Sequence, residues 1–180
     1  GSLAPVYGKF TDIFIHTNYF ALQEISSDEA ILPYRGGTDW GDNGIYLSLH
    51  QHVTTSTDPN VRNTWGHILQ GISRAVTAIN VLPEIDVPAS KVYLAEARGL
   101  NAYYGMLTLD LFGLVFVKDD PGTPSRILRG AEAVNYLINE FQSILNNLDN
   151  TVGPGRLTQY GAMGLLARLY LNAAVYRDIY

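Results

Sequence analysis

A chain of 180 residues, 47% of them hydrophobic, is long enough to bury one sizeable core and too short to expect two domains. The formal net charge is −5, and the 12 lysine and arginine residues form no cluster, which excludes the electrostatic footprint of a protein that binds nucleic acid or anionic lipid. The count of zero cysteines excludes disulfides, thiolate zinc sites and cysteine nucleophiles. The composition therefore indicates a soluble globular domain.

The start of the chain shows no targeting segment. No apolar run approaches the roughly 18 residues of a membrane span, and no signal-like stretch comes before the first helix. Gly1 and Ser2, without a methionine, are typical of the remnant of a cleaved tag. We therefore expect that any native export signal or anchor ahead of Leu3 was removed or never existed.

Apolar residues recur mostly at helical spacing, and no segment sustains the alternation of apolar and polar residues that is typical of a strand. The sequence therefore predicts a mostly α-helical fold. A first helix is expected over residues 5–17 and a short one over 44–52, with a long loop between them. The best-marked helix is expected over 59–82, because Asp58 is a good N-cap and Pro59 suits a first helical turn. Its predicted apolar stripe consists of Val61, Trp65, Ile68, Leu69, Ile72, Ala75 and Ile79.

Three further helices are predicted over 89–112, 130–148 and 158–176. Gly113 is the expected stop of the first of them, and "LVFVKDDPGTPS" after it is expected to be extended or a loop. The turn "NTVGPG" separates the last two helices. Connections this short predict antiparallel neighbours, both for the 59–82 and 89–112 helices and for the last two.

The two predicted pairs repeat one pattern of residues. "AEARGLNAYYGMLTL" and "AMGLLARLYLNAAVY" both mix small residues with aromatic residues and leucines at three- and four-residue offsets. Small residues let helices approach closely while aromatics fill the neighbouring grooves, as in tetratricopeptide repeats. We therefore predict an all-α fold of tetratricopeptide-like helix pairs with a long loop after the first helix. The tyrosines expected in its core are Tyr103, Tyr104, Tyr170 and Tyr176.

The predicted loop contains "GGTDWGDNG", which places Trp40 among glycines, aspartates and an asparagine. Glycine and Asx residues favour turns and left-handed backbone conformations, so this segment is expected to be neither regular helix nor strand. A large apolar ring in such a loop either folds back to pin the loop or is displayed for a ligand to stack on. The residues alone leave both alternatives open.

Catalytic and metal sites are poorly supported. His50 and His52 lie two residues apart, which points them in different directions on a helix, and no third ligand of matching spacing follows. A calcium-binding loop of the EF-hand type that begins at Asp39 is not supported, because its third position is Gly41 and its twelfth is a histidine instead of a glutamate. Glu24, Asp28 and Glu29 offer a carboxylate pair of the glycosidase kind, but nothing fixes their separation. The sequence predicts no catalytic residue, cofactor or metal.

Four segments, in this order, resemble the N-terminal half of SusD/RagB-like proteins: "EISSDEAILPYRGGTDWGDNG", "LHQHVTTSTDPNVRNTWGHILQGISRA", "LAEARGLNAYYGMLTLDLFG" and "GRLTQYGAMGLLARLYLNAAVY". The resemblance implies a lipoprotein on the outer-membrane surface of Bacteroidetes that binds glycans without cleaving them. It also implies a partner, a SusC-type TonB-dependent transporter, which the protein caps during nutrient uptake. Residues 1–180 would form a single N-terminal helical domain.

The chain departs from the family pattern in several respects. Known members are longer, and neither their C-terminal region, with its further aromatic residues, nor their lipidated cysteine can be located here. Val76 stands where the family more often has asparagine. The membrane contact that the resemblance implies, a lipid anchor, is therefore expected outside this sequence.

The resemblance also implies a ligand site. In the family's starch-binding prototype, a tryptophan and an asparagine three residues later contact the sugar, and Trp40 and Asn43 match that spacing. Arg35 and Asp28 are expected to add hydrogen bonds. The alternative function is a tetratricopeptide-like scaffold that binds a protein or peptide, and a glycosidase is a further rival.

Overall fold

The computed structural model describes residues 3–27, 29–33, 35–36 and 42–178. Helices dominate this part of the chain, so the all-α prediction is confirmed. Six α-helices lie within it: α1 (Ala4–Ile13), α2 (Ile45–His50), α3 (Pro59–Val81), α4 (Ser90–Phe112), α5 (Gly130–Ile144) and α6 (Gln159–Asp178). None of the helices among these residues is both long and apolar enough to cross a bilayer.

Shorter elements occupy the connections. A π-helix spans Ala21–Ile25, and 3-10 turns span Asp42–Gly44, Leu82–Glu84 and Leu145–Asn147. The predicted bounds of α3 and α4 agree with the structure to within a residue or so. The first helix ends at Ile13, so its predicted end at residue 17 is wrong. The amide of Asn18 donates to the carbonyl oxygen of Asp12 at 2.7 Å and so satisfies a backbone group at this helix end.

By its contacts the chain divides into two compact units, one of residues 1–7 and 70–180 and one of residues 8–69. In the first unit α4 is the central helix, and it packs against both α5 and α6. Its C-terminus is capped by Gly113 in the left-handed conformation, at φ 69°, as predicted.

Cross-helix contacts give the directions of the helices in this unit. Arg98 of α4 pairs with Glu140 of α5 at 3.0 Å, and Gln142 of α5 donates to the hydroxyl of Tyr170 in α6 at 3.1 Å. Arg177, near the end of α6, donates to Asn135, near the start of α5. Helices α5 and α6 are therefore antiparallel, as predicted from the short connection between them.

Small residues let these helices approach closely. A β-carbon built on Gly71 of α3 would lie 2.4 Å from the ring of Tyr104 in α4. A β-carbon on Gly99 would lie 2.4 Å from the side chain of Leu157. Gly99 belongs to a segment in which the sequence predicts small residues at helix contacts, so the prediction is confirmed there, and Gly71 adds a close approach outside that segment.

The connection between α4 and α5 contains a small antiparallel sheet of β1 (Val115–Val117) and β2 (Arg126–Leu128). In its register Val115 pairs with Leu128. Both side chains are buried in the core of the unit. The sequence predicts only an extended or loop connection here, because each strand is three residues long and shows no sustained alternation.

A buried carboxylate joins three parts of the first unit. Glu96 in α4 is fully buried and accepts hydrogen bonds from the hydroxyl of Tyr7, at 2.5 Å, and from the guanidinium of Arg156. The backbone N–H of Leu157 donates to the same hydroxyl at 2.7 Å. Burial and the hydrogen bond to Glu96 raise the pKa of Tyr7 well above its usual value. The network therefore holds two segments against α4: the start of α1, and the segment of Arg156 and Leu157 that precedes α6.

One expectation about the core is wrong. Tyr104 and Tyr176 are buried and Tyr103 is partly buried against the core, but Tyr170 is half exposed. Helix α6 carries apolar residues on both of its faces, so the sequence pattern did not distinguish the buried face from the exposed one.

Candidate functional site

The candidate site lies in the second unit, where the predicted loop meets α2. Asn43 has φ 58° and ψ 26°, and Gly44 has φ 85°, so both residues adopt the left-handed conformation. Asparagine and glycine tolerate this conformation better than other residues do, because their side chains clash least with the following carbonyl. The irregular backbone predicted for this stretch is thus confirmed at its C-terminal end.

A small apolar core anchors that end of the loop. Tyr46 and Leu49 of α2 are buried against Ala21 and Ile25 of the π-helix. The hydroxyl of Ser48 donates to the carbonyl oxygen of Gly44 at 3.4 Å and reinforces the first turn of α2. Asn43 is itself exposed. The asparagine amide is therefore presented to solvent by a backbone that packing holds in place.

The other predicted site residues stand as follows. Arg35 is exposed and is followed by Gly36 at φ 118°. Trp40 and Asp28 lie outside the described residues. The hydroxyl of Ser27 donates to the carbonyl oxygen of Glu24 at 2.8 Å and accepts from the N–H of Glu29 at 3.1 Å. The grouping of the four residues around one ligand stays a prediction.

The described members of the site suit a polyhydroxylated ligand. A primary amide has two donors and a carbonyl acceptor, and a guanidinium has five donors in a fixed plane. Sugar hydroxyls need both donors and acceptors, so Asn43 can satisfy both roles and Arg35 can add donors. Neither group supplies a nucleophile or a general base, and the chemistry that these two residues support is therefore binding.

The histidines show no arrangement that holds a metal. His50 lies in the last turn of α2 and is half-buried, and His52 follows the helix in the left-handed conformation, at φ 56°. Within the part of the chain that the structure describes, no three histidine, aspartate or glutamate side chains converge as a metal site.

Sequence reasoning missed the π-helix that supports α2. Its five residues, Ala21–Ile25, follow shortly after α1 and supply half of the small core. A π-helix differs from an α-helix by one residue in its hydrogen-bond spacing, and such segments are frequent near functional sites. No residue pattern in "ALQEI" distinguishes the two, so the sequence offered no signal for it.

A separate concave surface occurs in the first unit. A cleft of about 360 Å³ is lined by Pro5 of α1 and by Ser73, Arg74, Thr77, Ala78 and Val81 of α3. The guanidinium of Arg74 donates to the carbonyl oxygen of Pro5 at 3.1 Å and closes one side of the cleft. The cleft is mostly apolar and contains none of the predicted site residues.

The helices of the first unit, packed side by side with α5 and α6 antiparallel, define a tetratricopeptide-like helical fold. No protein-family model matches the chain. A SusD-like protein of Bacteroides ovatus is 28% identical over 91% of this chain and 34% of its own length. The resemblance predicted from the four sequence segments is thus confirmed: the chain is similar to SusD-like proteins, and it spans about a third of the length of the relative that it matches.

Solved structures agree on the fold. Surface glycan-binding protein A from Bacteroides fluxus superposes with a TM-score of 0.77 at 23% identity, over 97% of this chain and 39% of that protein. A laminarin-binding SusD-like protein superposes with a TM-score of 0.79 at 20% identity, over 97% of this chain and 41% of that protein. The first is named for binding glycans and the second for binding laminarin.

Proposed function

We propose that this chain is the N-terminal helical part of a non-catalytic glycan-binding protein. The observation that carries the proposal is the fold, which extends over 97% of the chain and is shared with a surface glycan-binding protein and with a laminarin-binding protein. The displayed amide of Asn43 supports it, because the loop's backbone holds a polar group toward solvent at the position that the family resemblance implies.

The proposed ligand contacts are Trp40, Asn43, Arg35 and Asp28. The indole of Trp40 provides a flat apolar face for the C–H groups of a sugar ring, while the other three residues hydrogen-bond to its hydroxyls. A single stacked ring gives weak affinity, so repeated units of a polysaccharide increase the retention. The mechanism is capture of the glycan and its transfer, without bond cleavage.

The proposed partner is a SusC-type TonB-dependent transporter at the cell surface. The helix pairs pack against this transporter, the loop of Trp40 faces the ligand, and a lipid anchor outside this sequence holds the protein in the outer membrane. Affinity purification of the tagged native protein from outer membranes, followed by mass spectrometry, tests this arrangement. Recovery without a TonB-dependent transporter would contradict it.

The site is tested with Trp40→Ala in affinity gels that contain laminarin or other polysaccharides. We expect the wild type to be retarded by its cognate polysaccharide and the variant to migrate freely, with nearly unchanged melting temperature, because a displayed ring contributes little to the core. Phe20→Ala is the matched control, since Phe20 is an exposed aromatic residue of the same unit but lies outside the loop. It should be retarded like the wild type.

Other outcomes would overturn the assignment. If Trp40 is a buried anchor, Trp40→Ala should destabilise the fold by roughly 3 to 5 kcal/mol, the range for deletion of a packed large aromatic. Unchanged retention of the folded variant would also exclude the ligand role. Release of reducing ends from the polysaccharide would indicate a glycosidase, and selective binding in a peptide library without glycan binding would favour the scaffold function.

A further inference from the structure

Asn43 is the only asparagine of the sequence that is followed by a glycine. Most of the other asparagines lie within the α-helices, and each of them precedes a residue with a side chain. Such a side chain obstructs the approach of the next backbone nitrogen to the side-chain carbon of the asparagine, and glycine has none. Attack by the following nitrogen is therefore least hindered at Asn43.

The structure leaves this position open to reaction. Asn43 is exposed, so water reaches its side chain. The 3-10 turn of Asp42–Gly44 is only three residues long, and the left-handed backbone of Asn43 interrupts it. A turn of this kind has poor hydrogen-bond geometry and opens locally while the rest of the fold stays intact. Gly44, at φ 85°, tolerates the rotations that bring its nitrogen to Asn43, because glycine has the widest choice of backbone conformations.

We propose that Asn43 is a modification site, at which the side-chain amide is lost by spontaneous deamidation with water as the only co-reactant. The backbone nitrogen of Gly44 gives up its proton and bonds to the side-chain carbonyl carbon of Asn43. The bond from that carbon to the amide nitrogen breaks, and ammonia leaves with the proton. The product is a five-membered succinimide ring, and water reopens it by adding to one of its two carbonyl carbons.

The two ring openings have different consequences for the turn. Addition at the side-chain carbon leaves aspartate at position 43, which tolerates the left-handed conformation as asparagine does. Addition at the main-chain carbonyl carbon gives isoaspartate, which inserts one more carbon into the main chain ahead of α2. Because Tyr46 and Leu49 are buried and hold α2 in place, the extra length changes the direction of the loop.

Both products replace the amide with a carboxylate. An ionised carboxylate accepts hydrogen bonds but donates none, so the donors that a sugar hydroxyl would use are lost. One negative charge is also added to a formal net charge of −5. We expect both products to bind glycan more weakly than the unmodified chain. This consequence rests on the proposed function, whereas the modification itself does not.

Mass spectrometry of the folded chain, kept in mildly alkaline buffer and sampled over time, tests the modification. Trypsin releases residues 36–62 as one peptide, between Arg35 and Arg62. We expect this peptide to gain the mass difference between an amide and a carboxyl group, and its fragment ions to place the change at Asn43. Separation of the products should show aspartate and isoaspartate together.

The same sample contains two internal controls. Asn147 is exposed and also ends a 3-10 turn, Leu145–Asn147, but a leucine follows it. Asn150 is exposed in a loop, but its amide is hydrogen-bonded to Gln159 and Tyr160. We expect the amide of Asn43 to be lost at least about tenfold faster than either of these amides, because their attacking nitrogens belong to residues with side chains.

Affinity gels test the consequence for binding. Mobility is compared with and without polysaccharide, so that the added charge does not affect the result. The incubated chain and Asn43→Asp should both be retarded less than the freshly prepared wild type. Equal retardation of all three would refute the loss of affinity. If no polysaccharide retards the fresh wild type, the proposed function fails, and the mass measurement still decides the modification.

Two results would overturn the proposed modification. The first is an Asn43 that keeps its amide in the folded chain as long as Asn147 does, which would mean that the turn prevents the attack by Gly44. The second is a loss of the amide that yields aspartate without isoaspartate. A succinimide opens at both carbonyl carbons, whereas direct hydrolysis of the side chain gives aspartate alone, so this result would exclude the ring.

Discussion

At the scale of the residue, Asn43 has two separable roles. Its left-handed backbone fixes the turn that leads into α2, and its exposed amide is the proposed contact with the sugar. Alanine at this position would lose the amide and would also strain the backbone, because its β-carbon clashes in the left-handed region. Glycine would lose only the amide. The two substitutions together therefore separate conformation from recognition.

We expect Asn43→Ala to lower the free energy of unfolding by about 1 kcal/mol, the cost of a left-handed alanine. Asn43→Gly should leave stability nearly unchanged. Both variants should weaken glycan retention to a similar degree, because both lack the amide. Chemical denaturation and affinity electrophoresis measure the two effects. Wild-type retention by the glycine variant would show that the amide does not contact the ligand.

The sequence predicted the irregular backbone at this residue because that signal is local. Neighbouring glycine and asparagine determine the left-handed turn by their own sterics, whatever surrounds them. The exposure of Tyr170 is different, because it depends on which face of α6 meets α5. Both faces of that helix are apolar, and spacing alone therefore placed Tyr170 in the core incorrectly.

At the scale of the element, the stacking of α3 on α4 depends on a glycine that helix propensity disfavours. Gly71 costs α3 about 1 kcal/mol relative to alanine, yet a β-carbon there would overlap the ring of Tyr104. That ring cannot move freely, because its hydroxyl donates to the carbonyl oxygen of Val6 at 2.5 Å. Close packing therefore outweighs propensity at this position.

We expect Gly71→Ala to destabilise the protein by about 1 to 3 kcal/mol, the usual cost of overpacking a core. Gly66→Ala in the same helix is the matched control, because a β-carbon there meets no atom within 4 Å. The control should be neutral or should stabilise by up to about 1 kcal/mol, the propensity difference. Thermal and denaturant unfolding of both variants measure the contrast. Equal effects at the two positions would mean that the Gly71 contact is not tight.

The long helices were predictable from sequence, whereas the short elements were not. Periodicity and caps such as Gly113 act over one helix and fix its bounds. The β1 and β2 strands pair across eight intervening residues, and their stability comes from burial of Val115 and Leu128 in a core that other helices complete. Strands of three residues show too little alternation to reveal that pairing.

At the scale of the whole molecule, buried tyrosines link stability to alkaline pH. Burial raises the pKa of Tyr7 and of Tyr104 well above the ordinary value near 10. Burial, with the carboxylates of Glu140 and Asp119 adding to it, raises the pKa of Tyr136 to about 12. In the unfolded chain all three phenols titrate near pH 10, while in the folded protein they keep their protons.

The free energy of unfolding depends on pH because these phenols have different pKa values in the folded and unfolded states. Below pH 10 both states hold the phenolic protons, and stability does not depend on these groups. Between pH 10 and the folded pKa values the unfolded state binds fewer protons than the folded state, so the free energy of unfolding falls as the pH rises. Each tyrosine contributes at most about 1.4 kcal/mol per pH unit in this window.

We therefore expect the melting temperature to fall steeply above pH 10, and the ionisation of the buried tyrosines, followed by ultraviolet absorbance, to coincide with unfolding. Tyr136→Phe should reduce the steepness, because it removes one of the protons released on unfolding. Tyr160→Phe is the matched control, since it removes the same hydroxyl group from a largely exposed position. A melting temperature that stays constant from pH 9 to about pH 11, or equal slopes for the two variants, would show that burial does not hold these phenols in their neutral form.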